Sequence, residues 1–257
     1  PTNDTLRVLM IGNSFTDDAT EYLGDIVAKS GIDLNTCCVY SLTQGGADLL
    51  TWCYNYENFS TKSIERKAGM YTMPITNGTV EELLSQDWDV ISLQQVSYLS
   101  NNFNTYSPYL DNLISYIKTD CTNKNVSICW HMTWSYWGLY PEKGPKETTG
   151  WQSIVNTVKE MQTAYGIDII VPSGTCIELA RGTSLNTKYS LTRDGKHIAF
   201  GVGRYILACT VFETLFAPVY GKTIIDNASR HELNGLEKQN TYECRNVTDK
   251  NAPLCQL

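Results

Sequence analysis

Ser14, Asp194 and His197 are the residues of this chain whose types and settings suit acyl transfer through a hydroxyl nucleophile. Ser14 stands in Gly12-Asn13-Ser14-Phe15, directly after the apolar run Leu6–Ile11 and ahead of a helical pattern. A serine on a tight strand-to-helix turn can aim its hydroxyl into a crevice, and the first amides of the helix can stabilise an oxyanion beside it. Taken alone, the turn reads first as a helix cap. A serine nucleophile also needs a base, and the chain has three histidines. His131 lies in an apolar run beside Trp130 and reads as a core or crevice-edge residue, while His231 sits in a polar tail next to Glu232 and reads as a surface residue. His197 closes the polar loop Leu191-Thr192-Arg193-Asp194-Gly195-Lys196-His197, just before a long apolar stretch. Asp194, three positions earlier, can accept a hydrogen bond from one ring nitrogen, which fixes the tautomer and leaves the other nitrogen free for the serine proton.

Elements must hold these residues together. Apolar runs of strand length recur, each followed by a helical pattern. Behind Leu6–Ile11 a helix opens at Asp17 or Asp18, acids that can cap it, with Tyr22, Leu23, Ile26 and Val27 on one face and Gly31 at its end. A second run, Leu34–Leu42, leads into Gln44-Gly45-Gly46. The third, Trp88–Leu93, precedes a helix with Ser107 as cap, Pro108 in its first turn, and Leu110, Leu113, Ile114 and Ile117 inward. Val126–Met132 is the fourth run. A helix from about Gly150 to Tyr165 then presents Ile154, Val155, Val158 and Met161, and Gly166 stops it before the fifth run, Ile167–Val171, which breaks at Pro172-Ser173-Gly174. Five strands with helices between most of them imply a parallel sheet covered on both faces, a three-layer α/β/α sandwich. The whole chain, 1–257, reads as one domain with its core between about 6 and 220 and a tail, 221–257, wrapping the outside. The aromatic insert Thr51 to Thr79 is either a lid or a surface excursion packed by its own side chains.

Composition narrows the partners. Lys and Arg total 20 against 27 Asp and Glu, a formal charge of −7, and no basic run concentrates positive potential. Nucleic acid and anionic membrane are therefore not expected. With 42% hydrophobic and 18% charged residues the chain is globular, and its Asn, Thr, Ser and Tyr surface suits a neutral polar ligand. Ile198 to Tyr220, the most apolar stretch, contains Arg204 and Glu213 and reads as a core helix, not a membrane span. The nine cysteines, at 37, 38, 53, 121, 129, 176, 209, 244 and 255, show no zinc spacing. Most read as buried apolar residues, which leaves room for one or two bridges near the C-terminus without requiring them. No P-loop is present, Gly201-Val202-Gly203 lies inside an apolar helix, and the α/β-hydrolase G-x-S-x-G elbow is missing. The chain starts at Pro1, as a mature or tag-cleaved product would.

The Gly-Asn-Ser turn after the first strand, paired with Asp194-Gly195-Lys196-His197 far downstream, resembles the SGNH (GDSL-type) hydrolase superfamily. It is similar in particular to the bacterial branch beginning Ile-Gly-Asn-Ser-Phe-Thr, here Ile11 to Thr16, many of whose members come from gut-type bacteria. The resemblance runs from Leu6 to about Tyr220. It implies a flavodoxin-like five-stranded parallel sheet and a secreted or periplasmic serine esterase with Ser14 as nucleophile, His197 as base and Asp194 as its partner, without metal or organic cofactor. It also implies an oxyanion hole made by the Ser14 amide, the Gly46 amide (Gly45 being the near alternative) and a side-chain donor after strand three. The family places an Asn there, whereas this chain has Leu93-Gln94-Gln95-Val96-Ser97. A Gln carboxamide offers the same donors on a longer stem. Gln95, nearer the strand end, is the expected donor, and Gln94 is the alternative or a substrate contact.

Trp130, Trp134, Tyr136, Trp137 and Tyr140 follow strand four, and Trp151 opens the next helix, so four of the six tryptophans fall in this segment. They form either a carbohydrate platform, with Trp134 and Trp137 stacking on sugar faces, or the packing of a long loop on the core. The expected activity is removal of a small acyl group, acetyl first, from a carbohydrate or similar polar ester. The same residues suit two alternatives, an acyltransferase and a non-catalytic glycan-binding protein on a hydrolase scaffold.

Overall fold

The computed structural model describes residues 5–58, 64–65, 79–137, 147–186 and 190–227. Its strands are β1 (Leu6–Gly12), β2 (Cys37–Thr43), β3 (Ile64–Glu65), β4 (Val90–Leu93), β5 (Ser127–His131) and β6 (Ile169–Val171), in the sheet order β3-β2-β1-β4-β5-β6. All neighbours are parallel except β3, which pairs antiparallel on the outer edge of β2. The five parallel strands have the flavodoxin-like order, and the direction of winding reverses at β1. Ligand crevices of open parallel sheets form at such a reversal, outside the carboxyl ends of the strands.

The helices, in chain order, are α1 (Ser14–Thr20), α2 (Leu23–Lys29), α3 (Leu49–Asn58), α4 (Val80–Leu84), α5 (Tyr109–Asp120), α6 (Glu147–Tyr165), α7 (Ser173–Arg181), α8 (Val202–Val211) and α9 (Ala217–Tyr220). Strand alternation divides the core in two. Leu6, Val8 and Met10 of β1, with Val39, Cys129 and Val171, pack against apolar residues of α1, α2, α7 and α8. Leu9 and Ile11, with Tyr40, Leu42, Ile91, Leu93 and Trp130, pack against α3, α4, α5 and α6. A strand buried on both sides has no polar face, which is why the strands read as nearly continuous apolar runs. Between α8 and α9 the chain makes one π-helical turn, Phe212–Phe216. The whole stretch Val202–Tyr220 is apolar and long enough to cross a membrane, and Leu207, Ala208, Val211, Phe212 and Phe216 place it in the core.

Several expected boundaries move. The first helix starts at Ser14, because the Asn13 side chain caps it by accepting from the Phe15 amide at 3.0 Å, and the acids at 17 and 18 lie within it. Leu34–Thr36 forms a 3-10 turn capped by Asp33, which delays β2 to Cys37. Trp88 is buried ahead of β4, its indole donating to the Leu83 carbonyl, and the strand begins at Val90. Ser107 makes no capping bond to α5, which starts at Tyr109. α7 was not expected at all. The insert opens with the ordered helix α3 and contributes β3, while the choice between lid and surface excursion concerns residues outside those described. So does the tail beyond 227, with Cys244, Cys255 and His231. The seven described cysteines are free thiols.

Candidate active site

The chain leaves β1 at Asn13 and enters α1 at Ser14. The Asn13 carbonyl accepts from the amides of Thr16 and Asp17, its side chain takes Phe15, and the Ser14 amide is left without a partner among the described residues, at the positive end of the helix. Across β2, Gln44 to Ala47 form a turn closed by the Ala47 amide on the Gln44 carbonyl at 3.0 Å. Gly46 sits there at φ +73, the sign that the third position of a type II turn requires and that glycine supplies without strain. The amide of Gly46 also has no partner among the described residues and is exposed.

His197 arrives from the opposite direction on the loop after α7. The Asp194 Oδ1 accepts from the amides of Lys196 and His197 at 3.0 and 2.7 Å, and its Oδ2 accepts from His197 Nδ1 at 2.6 Å. The proton is thereby fixed on Nδ1, so the lone pair of Nε2 faces Ser14 Oγ at 2.9 Å. Burial pushes the Asp194 pKa up, but the hydrogen bonds and charge of His197 more than reverse this and bring it down to about 2. The carboxylate is therefore ionised at neutral pH. The three residues expected to form a triad are brought together in one line, Ser14–His197–Asp194.

A buried ion cluster holds this loop onto α1, the helix that begins at Ser14. Asp18 is fully buried and accepts from Arg193 at 3.0 Å through both oxygens, from Arg204 Nε at 2.8 Å and from the Ile198 amide at 3.2 Å. Burial raises its pKa, and Arg193, Arg204 and the nearby His197 outweigh that, holding it below the ordinary carboxylate value. Arg193 also donates to the Ile198 carbonyl, and both guanidinium groups lie over the Phe200 ring, 4.5 and 4.6 Å from its centre. Asp18 thus binds the residue before Asp194 and the residue after His197. The capping role expected of Asp18 falls to Asn13, and Asp18 serves as this buried anchor instead.

The two glutamines do not occupy the place expected of them. Gln95 Nε2 donates to the carbonyl and hydroxyl of Thr105, and its Oε1 accepts from the amides of Leu49 and Val96. At 1% exposure the side chain is spent on bracing loops and presents nothing to a ligand, which corrects its assignment to the oxyanion hole. Gln94, 2% exposed, lies beneath the Ser14 turn and binds Asn13, Thr16 and His131 instead of facing substrate.

The aromatic segment is likewise mostly core. Trp134 is fully buried, stacks on Phe15 at 4.0 Å between ring centres, and donates from its indole nitrogen to the Lys196 carbonyl at 2.8 Å. Its role as a sugar-stacking surface is therefore corrected to that of a prop beneath the Asp194–His197 loop. Trp130 is buried in β5 against Tyr106, and Tyr136 is buried with its hydroxyl on Ser97. Trp151 is half-buried and donates to Thr175, and Tyr140 lies outside the described residues. Trp137 alone of Trp130, Trp134 and Trp137 keeps part of its surface open, and its amide holds the Gly195 carbonyl at 2.8 Å. Among the described residues no three His, Cys, Asp or Glu side chains converge as a metal site requires.

A Ser-His-Asp relay at the carboxyl edge of a flavodoxin-like parallel sheet is the architecture of the SGNH hydrolases, and the chain has that fold. A protein of Slackia heliotrinireducens described as an SGNH hydrolase candidate superimposes with a TM-score of 0.56 at 19% identity, over 82% of this chain and 99% of that one. A GDSL-like lipase candidate of Parabacteroides merdae gives a TM-score of 0.54 at 14% identity, over 82% and 96%. Within this fold the chain belongs to the DUF4886 family, a domain of unknown function whose model matches residues 7–242. A DUF4886 family protein from Bacteroides uniformis is 30% identical, covers 92% of each chain and superimposes with a TM-score of 0.72. No curated protein matches the sequence.

Proposed function

We propose that this chain is a serine esterase that removes a small acyl group, acetyl first, from a carbohydrate or similarly polar ester. The observation that carries the reading is the relay itself: Ser14 Oγ 2.9 Å from His197 Nε2, and His197 Nδ1 2.6 Å from a carboxylate held ionised. Ser14 Oγ attacks the acyl carbonyl and its proton passes to His197 Nε2. The tetrahedral oxyanion is met by the Ser14 and Gly46 amides, and its collapse expels the alcohol, which takes the proton back from His197. Water then attacks the acyl-serine with His197 as base, releasing the acid and restoring the serine. The SGNH fold, shared with solved structures described as hydrolase and lipase candidates, supports ester hydrolysis in general. The polar, weakly charged composition and the partly open Trp137 beside the loop support a neutral hydroxylated alcohol.

Turnover of aryl acetates, longer aryl esters and acetylated sugars by the chain and by Ser14→Ala tests this. Acetyl esters are expected to lead each series, with Ser14→Ala at background. Equal activity of the two proteins would end the esterase reading, and preference for long acyl chains would end the small-acyl part of it.

A further inference from the structure

Two main-chain amides can stabilise one oxyanion only if their separation is held within a fraction of an ångström, and here they belong to different loops. The ladder between β1 and β2 ends at Gly12 and Thr43, with one more bond from the Gln44 amide to the Gly12 carbonyl at 3.2 Å. Beyond that, the Asn13 carboxamide spans the gap. Its Nδ2 donates to the Ala47 carbonyl at 2.9 Å, next to Gly46, and its Oδ1 accepts from the Phe15 amide, next to Ser14. The rotation of this one side chain therefore sets the distance between the two donors.

The rotation is fixed from below. The Phe15 amide can only donate and the Ala47 carbonyl can only accept, so Asn13 can take only one orientation. Its Oδ1 must then meet a donor from Gln94, which supplies Nε2 at 2.9 Å and turns Oε1 toward the Thr16 hydroxyl at 2.6 Å and His131 Nδ1 at 3.0 Å. His131 accordingly carries its proton on Nδ1 and accepts from the Ser173 hydroxyl at 2.9 Å through Nε2. Gln94 reaches Asn13 only because residue 12 is glycine: a Cβ there would lie 2.7 Å from Gln94 Cδ and 2.2 Å from Thr16 Oγ1. Asn13, Thr16, Gln94, His131 and Ser173 are all at most 2% exposed, so no water competes for these bonds.

The geometry points to Gln94 as a positioning residue: anchored by His131, it locks Asn13 and thereby sets the spacing of the Ser14 and Gly46 amides, instead of contacting substrate. This deepens the esterase reading and rests on it. The test uses two isosteric variants of the full chain, Asn13→Asp and Gln94→Glu, each of which replaces a donor in the chain by an oxygen. With an aryl acetate, each is expected to lower kcat by ~10²-fold above neutral pH while KM stays within about threefold of wild type. Protonating the new carboxyl restores a donor, so the ratio of variant to wild-type kcat should climb as the pH is lowered.

If KM rises at unchanged kcat, Gln94 is a substrate contact and the proposal is wrong. A loss that does not recover in acid for either variant marks plain packing damage and overturns it as well. Labelling of wild-type Ser14 by a fluorophosphonate, alongside wild-type turnover, separates the two levels. A wild type that neither labels nor hydrolyses esters removes the esterase reading, whereas a competent wild type with indifferent variants removes only this inference.

Discussion

Among the described residues two serine–histidine pairs have the same length and opposite character. His197 Nε2 faces Ser14 Oγ at 2.9 Å and His131 Nε2 faces Ser173 Oγ at 2.9 Å, yet the far nitrogen meets the Asp194 carboxylate in one case and the Gln94 carboxamide in the other. The His197 side chain keeps 24% of its surface, while His131 is 1% exposed and burial pushes its pKa down to about 4. A proton arriving at His197 is compensated by an adjacent anion, and one arriving at His131 would be a buried unpaired charge. Serine–histidine distance therefore does not make a nucleophile. The third partner and access to solvent distinguish the pair suited to proton transfer from the pair that braces the scaffold.

The largest effect should fall on one pair alone. Ser14→Ala and His197→Ala are each expected to lower kcat for ester hydrolysis by roughly 10⁴–10⁶, and the double variant no further, because a nucleophile and its base fail as a unit. Ser173→Ala should retain turnover within about tenfold and instead lose about 1–3 kcal/mol of stability in denaturant titration, having left a buried ring nitrogen unsatisfied. Comparable kcat losses at Ser173 and Ser14 would dissolve the distinction between the pairs.

Converting the Ser14–His197 pair toward the other kind comes next. Asp194→Asn gives His197 the neutral partner that His131 has, with the Nδ1 proton no longer favoured, and should cost on the order of 10²–10⁴ in kcat. Circular dichroism should show an unchanged fold. A variant within tenfold of wild type would mean that the carboxylate matters only as a brace for the Lys196 and His197 amides.

These contrasts also show what a sequence can carry. The alignment of Ser14, His197 and Asp194 was legible because its signals are local: a serine on a strand-to-helix turn, and an Asp three positions before a His. The strand succession was legible for the same reason, since each run announces itself by burial on both faces. Asp18 was not, because an acid in a first helical turn is the ordinary sign of a cap, while its partners Arg193 and Arg204 lie 175 and 186 positions away. Nothing local in Leu93-Gln94-Gln95 told that both carboxamides would be consumed by loops and neighbours inside the protein. Trp134 follows a parallel strand just as a ligand platform would, and only its stacking on Phe15 reveals a packing role. α7 begins with Ser173-Gly174 directly behind Pro172, a start that reads as a loop until it is seen packed on α8.

The anchored histidine predicts a pH dependence of stability. Its folded pKa of about 4 lies below the ordinary 6.5, so between those values the unfolded chain binds the extra proton. Stability from this site is complete above about pH 6.5 and falls as the pH drops toward 4, by an amount on the order of 3 kcal/mol, and levels off below. Thermal melts across that window should show the slope in wild type and a flatter one in His131→Gln, which has no group to titrate there. If both proteins lose stability in parallel, other groups carry the acid sensitivity and His131 is not the neutral anchor described.

The smallest expected effect distinguishes the two tryptophans that touch the His197 loop. Trp134 supports it from within, through its indole on the Lys196 carbonyl, whereas Trp137 holds the Gly195 carbonyl with its backbone amide and leaves its side chain partly open. Trp134→Phe removes one hydrogen bond from the loop and should lower kcat/KM by about 1 kcal/mol for every ester alike, because the damage lies in the positioning of His197. Trp137→Ala keeps the amide, so the loop is unchanged and only a ring face is lost. If that face meets the alcohol part of the substrate, an acetylated sugar should lose about 0.5–1.5 kcal/mol in kcat/KM and a minimal aryl acetate distinctly less. Equal losses on both substrates would place Trp137 with Trp134 as packing, and the carbohydrate part of the proposed substrate would then lose its aromatic support while the triad chemistry stood.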